Sequence, residues 1–567
     1  MGHSMSFENC LKQISAGNAF DQTDLIPHLA AESIEKRAQI NYRLAEAFVA
    51  ARQYDKAKVF IDRSWIFSNY SLGMFQLYKH ICENLQDYDA LREAYKRLGI
   101  RYANEGRLSQ ALTAFNNWQY VYATYWNVDR YQYDSDVLDA VATLARSHPL
   151  QTRNQPPLSL IQGRKIRLAY LVYGASHENS VLVKILHTFA KFHDRTAFDV
   201  GFFVPEHLTD GQKARNSQLL ELNGVKFFVA PWSTVGGRLT TVANKIKEFR
   251  PDILITTAGL ADFEHYFLAL LRPAPLVVSL LQGPPQQFTA RGFDHAISWS
   301  RHPLIDSPVD ASLIRIGVHL PEADRIPTIS RRQLGIPDGA LTLMSAGRHV
   351  KFQSREFWRN LIALLRAHSN TCYVVVGAER SQISSFPHTD TDLPDAGRII
   401  FLGWRSDCLS VMKCADIVID TYPSGGGHVL IDAMALGKPF VSFTNDYMHA
   451  FDQTDWSVAE EFVAIPELIV PRGDFEKFKE VTAKLISDTN YRNRMGEECQ
   501  QQIRLNTPTE KQGVVLLEQE YLRLLKTKGH GPGRLTWPDR FQPVPIKSDL
   551  FENLVVVTKK LIKRVLN

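Results

Sequence analysis

The stretch that decides the fold is CADIVIDTYPSGGGHVLIDAMALGKPFVSF, which occupies residues 414–443. Its short apolar run, Ile417–Ile419, is typical of a buried strand, and a turn rich in proline and glycine follows it. The next residues have the composition of a helix, and a second apolar run begins at Phe440. This order predicts a βαβ unit with three glycines at the start of its helix.

The three glycines at 425–427 predict a binding site for a phosphate or diphosphate. Glycine lets the backbone approach a ligand closely, and the amides and positive dipole end of a helix start suit an anion. Asp432 falls one turn into the helix, where a carboxylate could take two ribose hydroxyls. A plain tight turn is the alternative, because His428–Leu430 occupy the place of the third glycine of a G-x-G-x-x-G fingerprint.

Length and composition predict a globular protein of several domains. A chain of 567 residues is longer than one hydrophobic core usually accommodates. Its composition, with 45% hydrophobic and 22% charged residues, is ordinary for a globular protein. The net charge of +5 gives no indication of nucleic-acid binding. The six cysteines form no C-x-x-C pair, which favours reduced thiols over a disulfide framework or a zinc site. Without a signal peptide or an apolar stretch of membrane-spanning length, we expect a cytoplasmic protein.

Four regions of the chain differ in pattern. Residues 1–150 carry helical periodicity, and the apolar spacing 0, +3, +7 that starts at Tyr54 recurs at Tyr88, 34 residues later, which is the period of a tetratricopeptide repeat. A third copy from Leu108 breaks the register, so a plain helical bundle is the alternative. Residues 160–320 and 321–525 each alternate short apolar strands with helical segments. This pattern predicts two doubly wound α/β domains that face each other across a cleft.

The remaining residues, 526–567, combine a link rich in glycine and proline with a basic amphipathic helix over 551–566. A basic amphipathic end could make peripheral contact with an anionic membrane surface. Packing of the same segment against the rest of the protein is the alternative.

Two cations are expected on the same rim as the glycine turn. Arg348 and Lys351 follow the predicted strand Leu341–Ser345 directly. Because the carboxyl ends of parallel strands meet at one edge of a sheet, both cations should lie near the turn. Together with a helix N-terminus they would neutralise a diphosphate leaving group without a metal. Either residue taken singly would be an ordinary surface charge.

These motifs together resemble the family 41 glycosyltransferases, which include the O-GlcNAc transferases and the HMW1C-like N-glycosyltransferases. The stretches that carry the resemblance are Ile399-Ile400-Phe401, Ala415-Asp416-Ile417, Asp420-Thr421, Gly427-His428 with Asp432 and Gly437, and LRPAPL at 271–276 followed by Gln282-Gly283. The resemblance covers roughly residues 160–525, and the N-terminal module is similar in general nature. It implies a GT-B fold, a UDP-sugar donor, inversion at the anomeric carbon, and no metal or other cofactor.

The resemblance also implies roles for individual residues. Lys351 would bind the donor diphosphate and assist catalysis, Asp432 would hold the ribose, and Arg405 would contact the uracil. The family often has His-Thr-Thr at the helix start, whereas this chain has Gly427-His428-Val429, so two hydroxyl donors are missing. The full predicted donor site is Arg348, Lys351, Arg405, Gly425, Gly426, Gly427, His428 and Asp432.

The group that activates the acceptor is expected in the first α/β domain. His177 follows its first strand, and an imidazole can accept a proton near neutral pH. Asp262, Glu264 and His265 compete for this role, and a mechanism without a side-chain base is also open. The D-x-D at 390–392 imitates a metal motif, but its polar, proline-flanked surroundings predict a solvated turn, so no metal site is expected.

The leading hypothesis is an inverting glycosyltransferase that moves GlcNAc or a hexose from a UDP-sugar to a protein side chain. The helical module would recruit the polypeptide acceptor. A first alternative keeps the fold but transfers to a glycan or a lipid-linked saccharide. A second alternative is a non-catalytic tetratricopeptide scaffold with a degenerate transferase domain.

Overall fold

The computed structural model describes residues 6–18, 25–30, 33–67, 72–125, 134–151, 164–175, 181–214, 224–259, 262–281, 292–298, 309–387, 398–423, 425, 427–444 and 465–528. These residues form an N-terminal helical region, two parallel β-sheets flanked by helices, and a long final helix. The predicted class, an α/β protein preceded by an all-α region, is confirmed. Among the helices so described, none combines the length and apolar character needed to cross a bilayer.

The helical region is built from consecutive, mutually packed helices. Their bounds are α1 (Phe7–Ser15), α2 (Ile26–Ala30), α3 (Ile34–Ala50), α4 (Tyr54–Phe67), α5 (Leu72–Leu85), α6 (Tyr88–Asn104), α7 (Leu108–Tyr125) and α8 (Ser135–Ser147). The most extensive contacts join α3 to α4 and α6 to α7. Aromatic rings fill the space between helices, and the ring centroids of Phe75 and Tyr95 are 4.8 Å apart. The assignment of these helices to tetratricopeptide repeats stays a prediction.

The first sheet has seven parallel strands in the order β3-β2-β1-β4-β5-β6-β7. The strands are β1 (Ile166–Leu171), β2 (Phe198–Val204), β3 (Lys226–Val229), β4 (Ile253–Thr256), β5 (Leu276–Leu281), β6 (His295–Ser298) and β7 (Ala311–Leu313). Helices α9 (Val181–Phe192), α10 (Val235–Phe249) and α11 (Phe263–Leu270) pack against it. Because strand order reverses between β1 and β4, the carboxyl ends of these two strands mark the binding crevice of the sheet.

The second sheet has six parallel strands in the order β10-β9-β8-β11-β12-β13. The strands are β8 (Leu341–Ala346), β9 (Thr371–Val376), β10 (Ile399–Phe401), β11 (Ile417–Ile419), β12 (Phe440–Phe443) and β13 (Ile469–Val470). Its helices are α12 (Arg355–Ala367), α13 (Cys408–Cys414), α14 (Gly427–Ala435), α15 (Phe475–Ser487) and α16 (Thr489–Asn506). Every residue of β9 is buried, as expected for a parallel strand covered on both faces. Here the order reverses between β8 and β11.

The last helix differs from the sequence-based prediction. The sequence predicts that the second domain extends to residue 525, which would include most of helix α17 (Glu510–Lys528). The apolar face of this helix instead joins the core of the first sheet. A buried polar network fixes it there, since His193 bonds Glu518 and Tyr170 at 2.8 Å each and the Tyr170 and Tyr521 hydroxyls are 3.2 Å apart. The amphipathic pattern of this helix carried no information about which sheet it covers.

The helical region and the first α/β domain share one hydrophobic core. The ring of Phe263 in α11 lies 5.7 Å from that of Phe115 and 6.0 Å from that of Trp118, both in α7. The backbone amide of Gly236 donates to Ser109 Oγ at 2.9 Å across the same interface. The boundary predicted near 150 therefore separates two sequence patterns but not two cores.

Candidate active site

Two groups of polar residues lie at the reversal points of the two sheets. In the second sheet, Arg348 follows β8 and Asp420 follows β11. In the first sheet, Tyr173 follows β1. Burial raises the pKa of Tyr173, and the Arg348 guanidinium opposes this rise; burial also raises the pKa of Asp432 of α14, and Lys184 of α9 opposes that rise. These interactions across the gap show that the two reversal points face each other over one cleft.

Lys351 is held against the glycine turn. It lies in the short turn His349–Phe352 after β8, and its Nζ donates to the carbonyl oxygen of Gly425 at 2.6 Å. Burial lowers the pKa of Lys351 to about 8, Asp420 opposes this change, and Arg348 adds to it. The ammonium group is therefore charged at neutral pH but close to its titration range, and an anion bound beside it would raise its pKa.

The buried carboxylate of Asp420 lies against the glycine turn. Its side chain is 5% exposed and accepts hydrogen bonds from the Thr421 amide and the Ser442 hydroxyl, each at 2.8 Å. A Cβ atom placed on Gly425 would lie only 2.6 Å from Asp420 Oδ2. Glycine is thus required at 425 because the backbone passes directly over a buried carboxylate.

Helix α14 begins at Gly427, immediately after the turn, and Gly426 lies outside the described residues. Burial and Lys184 lower the pKa of His428 to about 4, so this imidazole is neutral at physiological pH. Burial raises the pKa of Asp432 to about 6, while Lys184 and His319 oppose the rise. Lys184 was missed from sequence, because an exposed lysine near the start of a helix carries no signal of what faces it.

Arg405 lies farther from this centre, beyond β10 at the edge of the sheet. Its Nε and Nη2 donate to the two carboxylate oxygens of Asp407 at 2.7 and 2.6 Å, and this pairing raises the pKa of Arg405. The neighbouring Trp404 is 72% exposed on the same loop. A contact between Arg405 and a uracil ring stays a prediction.

In the first domain, the two acidic candidates for the base, Asp262 and Glu264, both accept hydrogen bonds from neighbouring elements. Asp262 Oδ1 caps α11 by accepting from the Glu264 amide at 2.7 Å, and it also accepts from Asn116 of α7 at 3.2 Å. Glu264 Oε1 accepts from Arg238 at 2.8 Å. Burial raises the pKa of both carboxyl groups, and the charge of Asp262 adds to the rise at Glu264. These contacts give both acids a structural explanation.

Of the two histidine candidates for the acceptor-activating base, His265 lies within the described residues. His265 is fully buried, lies 3.3 Å from Thr256 Oγ1, and has its pKa lowered to about 4 by burial. Its assignment as the acceptor-activating base stays a prediction. His177 lies outside the described residues, so its role as the base stays a prediction.

Two half-buried residues at this rim were not singled out from sequence. Glu206 follows β2 and accepts from the Gly174 amide at 2.5 Å. Burial raises the pKa of Tyr173 to about 12, Asp262 and Glu206 add to the rise, and Arg348 opposes it. The strand-end rule that located Arg348 could have located Glu206, because it stands two residues beyond the end of β2.

The described part of the chain contains no group of three histidine, cysteine or carboxylate side chains suited to hold a metal ion. The D-x-D at 390–392 lies outside the described residues. The expectation that catalysis needs no metal stays a prediction.

Comparison with known sequences defines the class of the second domain. Residues 340–488 match the family described as Glycosyl transferases group 1. The lipopolysaccharide core biosynthesis glycosyltransferase LpsE of Rhizobium meliloti (strain 1021) is 25% identical over 185 residues, which are 32% of this chain and 51% of that protein. The chain therefore spans about half the length of this curated relative.

One solved structure shows the same architecture over nearly the whole chain. A mutant of the Thermobaculum terrenum O-GlcNAc transferase superposes with a TM-score of 0.56 at 13% identity, covering 93% of this chain and 99% of that one. The lipopolysaccharide outer core galactosyltransferase WaaB gives a TM-score of 0.45 at 14% identity, covering 64% of this chain and 99% of its own. The protein thus has a GT-B glycosyltransferase architecture with a group 1 glycosyltransferase domain over residues 340–488.

Proposed function

We propose that the protein is an inverting glycosyltransferase that moves a sugar from a UDP-sugar to a protein side chain. The observation that carries the donor half of this proposal is the contact between Lys351 Nζ and Gly425 O at the reversal point of the second sheet. This contact brings an ammonium group beside Gly425, two residues before the start of α14. A diphosphate is the ligand that this combination stabilises best.

Each donor group has a defined task in this proposal. Lys351 and Arg348 neutralise the diphosphate as negative charge develops on the leaving group, so no metal ion is required. Asp432, whose pKa of about 6 leaves it ionised at neutral pH, accepts hydrogen bonds from the ribose hydroxyls. His428 is neutral and can donate one ring N–H to a phosphate oxygen.

An inverting transfer brings the acceptor to the sugar from the side opposite the leaving group, which is the first-domain side of the cleft. Tyr173 and Glu206 are the half-buried polar residues at the strand ends there, and Arg348 faces Tyr173 from the donor side. We therefore expect the acceptor-activating group among Tyr173, Glu206 and His177.

Two observations support a polypeptide acceptor. The helical region is joined to the first domain by a common core, and Asn116 Oδ1 of α7 accepts from the Phe263 amide at 2.7 Å, at the start of α11. A solved structure that shares the fold over nearly the whole chain is named as an O-GlcNAc transferase. A glycan acceptor is the second candidate, because the curated sequence relative is named for lipopolysaccharide core biosynthesis.

The donor half is tested by thermal unfolding of the full chain with UDP, GDP, CDP and TDP, each with and without EDTA. Because a ligand that binds the native state raises the unfolding temperature, UDP should stabilise the protein most, and EDTA should not remove the effect. Stabilisation by another nucleotide instead of UDP would contradict the donor assignment.

The acceptor half is tested by incubating the enzyme with radiolabelled UDP-GlcNAc, UDP-glucose or UDP-galactose and a bacterial lysate. A polypeptide acceptor predicts macromolecular label that protease digestion converts to small fragments. Label that resists protease and partitions with lipopolysaccharide would favour the second candidate. The Lys351→Met variant serves as the control for label transferred by other enzymes.

A further inference from the structure

A cavity of about 620 Å³ separates the helical region from the second α/β domain. Gln86, Tyr88 and Tyr120 line it from the helical side. The opposite wall is formed by segments that follow β8 and β9, including His349 and Gln353. Its volume falls within the range of about 300–1,000 Å³ that is usual for pockets binding small ligands.

The cavity adjoins the phosphate turn. His349 and Val350 of its wall immediately precede Lys351, and Pro423 of its wall stands two residues before Gly425. Lys351 Nζ and Gly425 O are joined by a hydrogen bond of 2.6 Å. The two loops that hold the predicted diphosphate therefore also form one wall of the cavity, so a ligand in the cavity would lie beside the transferred sugar.

The second-domain wall is a rigid, hydrogen-bonding surface. The Gln353 side chain donates to Gln382 O at 3.0 Å and accepts from Ser384 Oγ at 3.0 Å and from the Ser385 amide at 3.3 Å. One N–H of this amide is thereby used, and the second remains available to a ligand. No carboxylate occurs among the described residues of the lining. The wall thus offers amide and hydroxyl groups in fixed positions, with the exposed Arg355 guanidinium and His349 beside them.

The helical wall adds aromatic surface. Tyr120 projects from α7 with 59% of its surface exposed, and Tyr88 stands at the start of α6. A sugar ring has an apolar C–H face and a rim of hydroxyl groups. An exposed aromatic ring opposite fixed amides and hydroxyls matches both parts of such a ligand.

The same lining is poorly suited to the common modes of peptide binding. Strand addition needs an exposed sheet edge, and an amphipathic helix needs an apolar groove. The described lining residues come from helices, short turns and loops, and their aliphatic members are Val350 and Pro423. Neither requirement is therefore met within the described residues of the cavity.

We propose that this cavity is a saccharide-binding site, and that the acceptor carries a sugar unit that is held here beside the donor. The inference rests on the proposed glycosyltransferase function and adds that its polypeptide acceptor already carries a saccharide. Tyr120 supplies the stacking surface, and Gln353 supplies a hydrogen bond to a hydroxyl group.

Saturation-transfer NMR and calorimetry on the full chain test the proposal, with lactose, maltose and N,N′-diacetylchitobiose as probes. At least one probe should bind, and Tyr120→Ala and Gln353→Leu should each weaken it about tenfold or more while UDP affinity stays unchanged. Leu505→Ala removes a 70% exposed side chain from α16 and is the matched control, which should bind like wild type.

The outcomes separate this inference from the proposed function. If UDP binds and none of the three saccharides does, or if both cavity variants bind saccharide like wild type, the saccharide site is wrong. It is also wrong if unmodified peptides bind in a Tyr120-dependent manner and the saccharides do not. Failure of UDP to bind would overturn the donor assignment without bearing on the cavity.

Discussion

Replacing Lys351 by methionine removes the ammonium group from the phosphate turn but keeps a side chain of similar length. Lys351 Nζ lies 2.6 Å from Gly425 O, so the charge is held at the turn where a diphosphate would meet it. A hydrogen bond to a charged group contributes about 1.5–3 kcal/mol. Because about 1.4 kcal/mol corresponds to a tenfold change, we expect Lys351→Met to bind UDP about 10- to 100-fold more weakly.

The pH dependence of binding tests the same residue. Burial lowers the pKa of Lys351 to about 8, so the protein without ligand loses this charge as the pH rises above that value. Only the charged form attracts the diphosphate, and bound UDP therefore raises the lysine pKa. Wild-type affinity should be level between about pH 7 and pH 8 and should fall above this range by up to about tenfold per pH unit.

Calorimetric titration with UDP at pH 7, 8 and 9 measures both effects. Lys351→Arg is the matched control, since a guanidinium stays charged throughout this range and should show no fall at pH 9. Thermal unfolding without ligand checks that each variant is folded. A wild-type dissociation constant that is the same at pH 7 and 9, or an equal fall in wild type and Lys351→Met, would refute the assignment of Lys351 to the diphosphate.

Three further changes test other parts of the structure. Gly425→Ala places a methyl group 2.6 Å from Asp420 Oδ2 and should weaken UDP binding at least about tenfold, whereas Gly211→Ala, which points into open space, should bind normally in the same titration. Asp432→Asn should abolish the loss of UDP affinity that wild type shows as the pH falls through about 6; an unchanged pH profile would count against the ribose contact. Deleting the chain from Glu510 onward removes α17 from the first sheet and should give insoluble protein, so a soluble product with the wild-type unfolding temperature would contradict the shared core.

Most strands could be predicted from sequence because each is a continuous apolar run. The observed β11 has the predicted bounds, Ile417–Ile419, and β8 extends one residue beyond the predicted Leu341–Ser345. Strand β6 was missed because it begins with His295, whose polarity is satisfied only in three dimensions by Ser312 Oγ at 2.7 Å. Short strands of this kind depend on distant partners, and a local pattern does not contain them.

The candidate site, like the strands, could be predicted from the sequence only in part. Arg348 and Lys351 could be located because strand ends and a glycine turn are local features that the parallel-sheet rule brings together. Lys184 and Asn116 could not, because each meets its partner, Asp432 or Asp262, from an element far away in sequence. Their positions follow from how α9 and α7 dock, which no single-sequence pattern specifies.

Because α17 covers the first sheet, the order of synthesis affects how the first domain folds. The second domain is continuous from β8 through α16, so it can complete its fold as soon as it leaves the ribosome. The first domain cannot, because the apolar surface around Tyr170 is covered by a helix that is synthesised after the entire second domain. The nascent chain must therefore carry an uncovered face of its first sheet for more than 300 residues of synthesis, the distance from β1 to α17, and this face is where a chaperone would be needed.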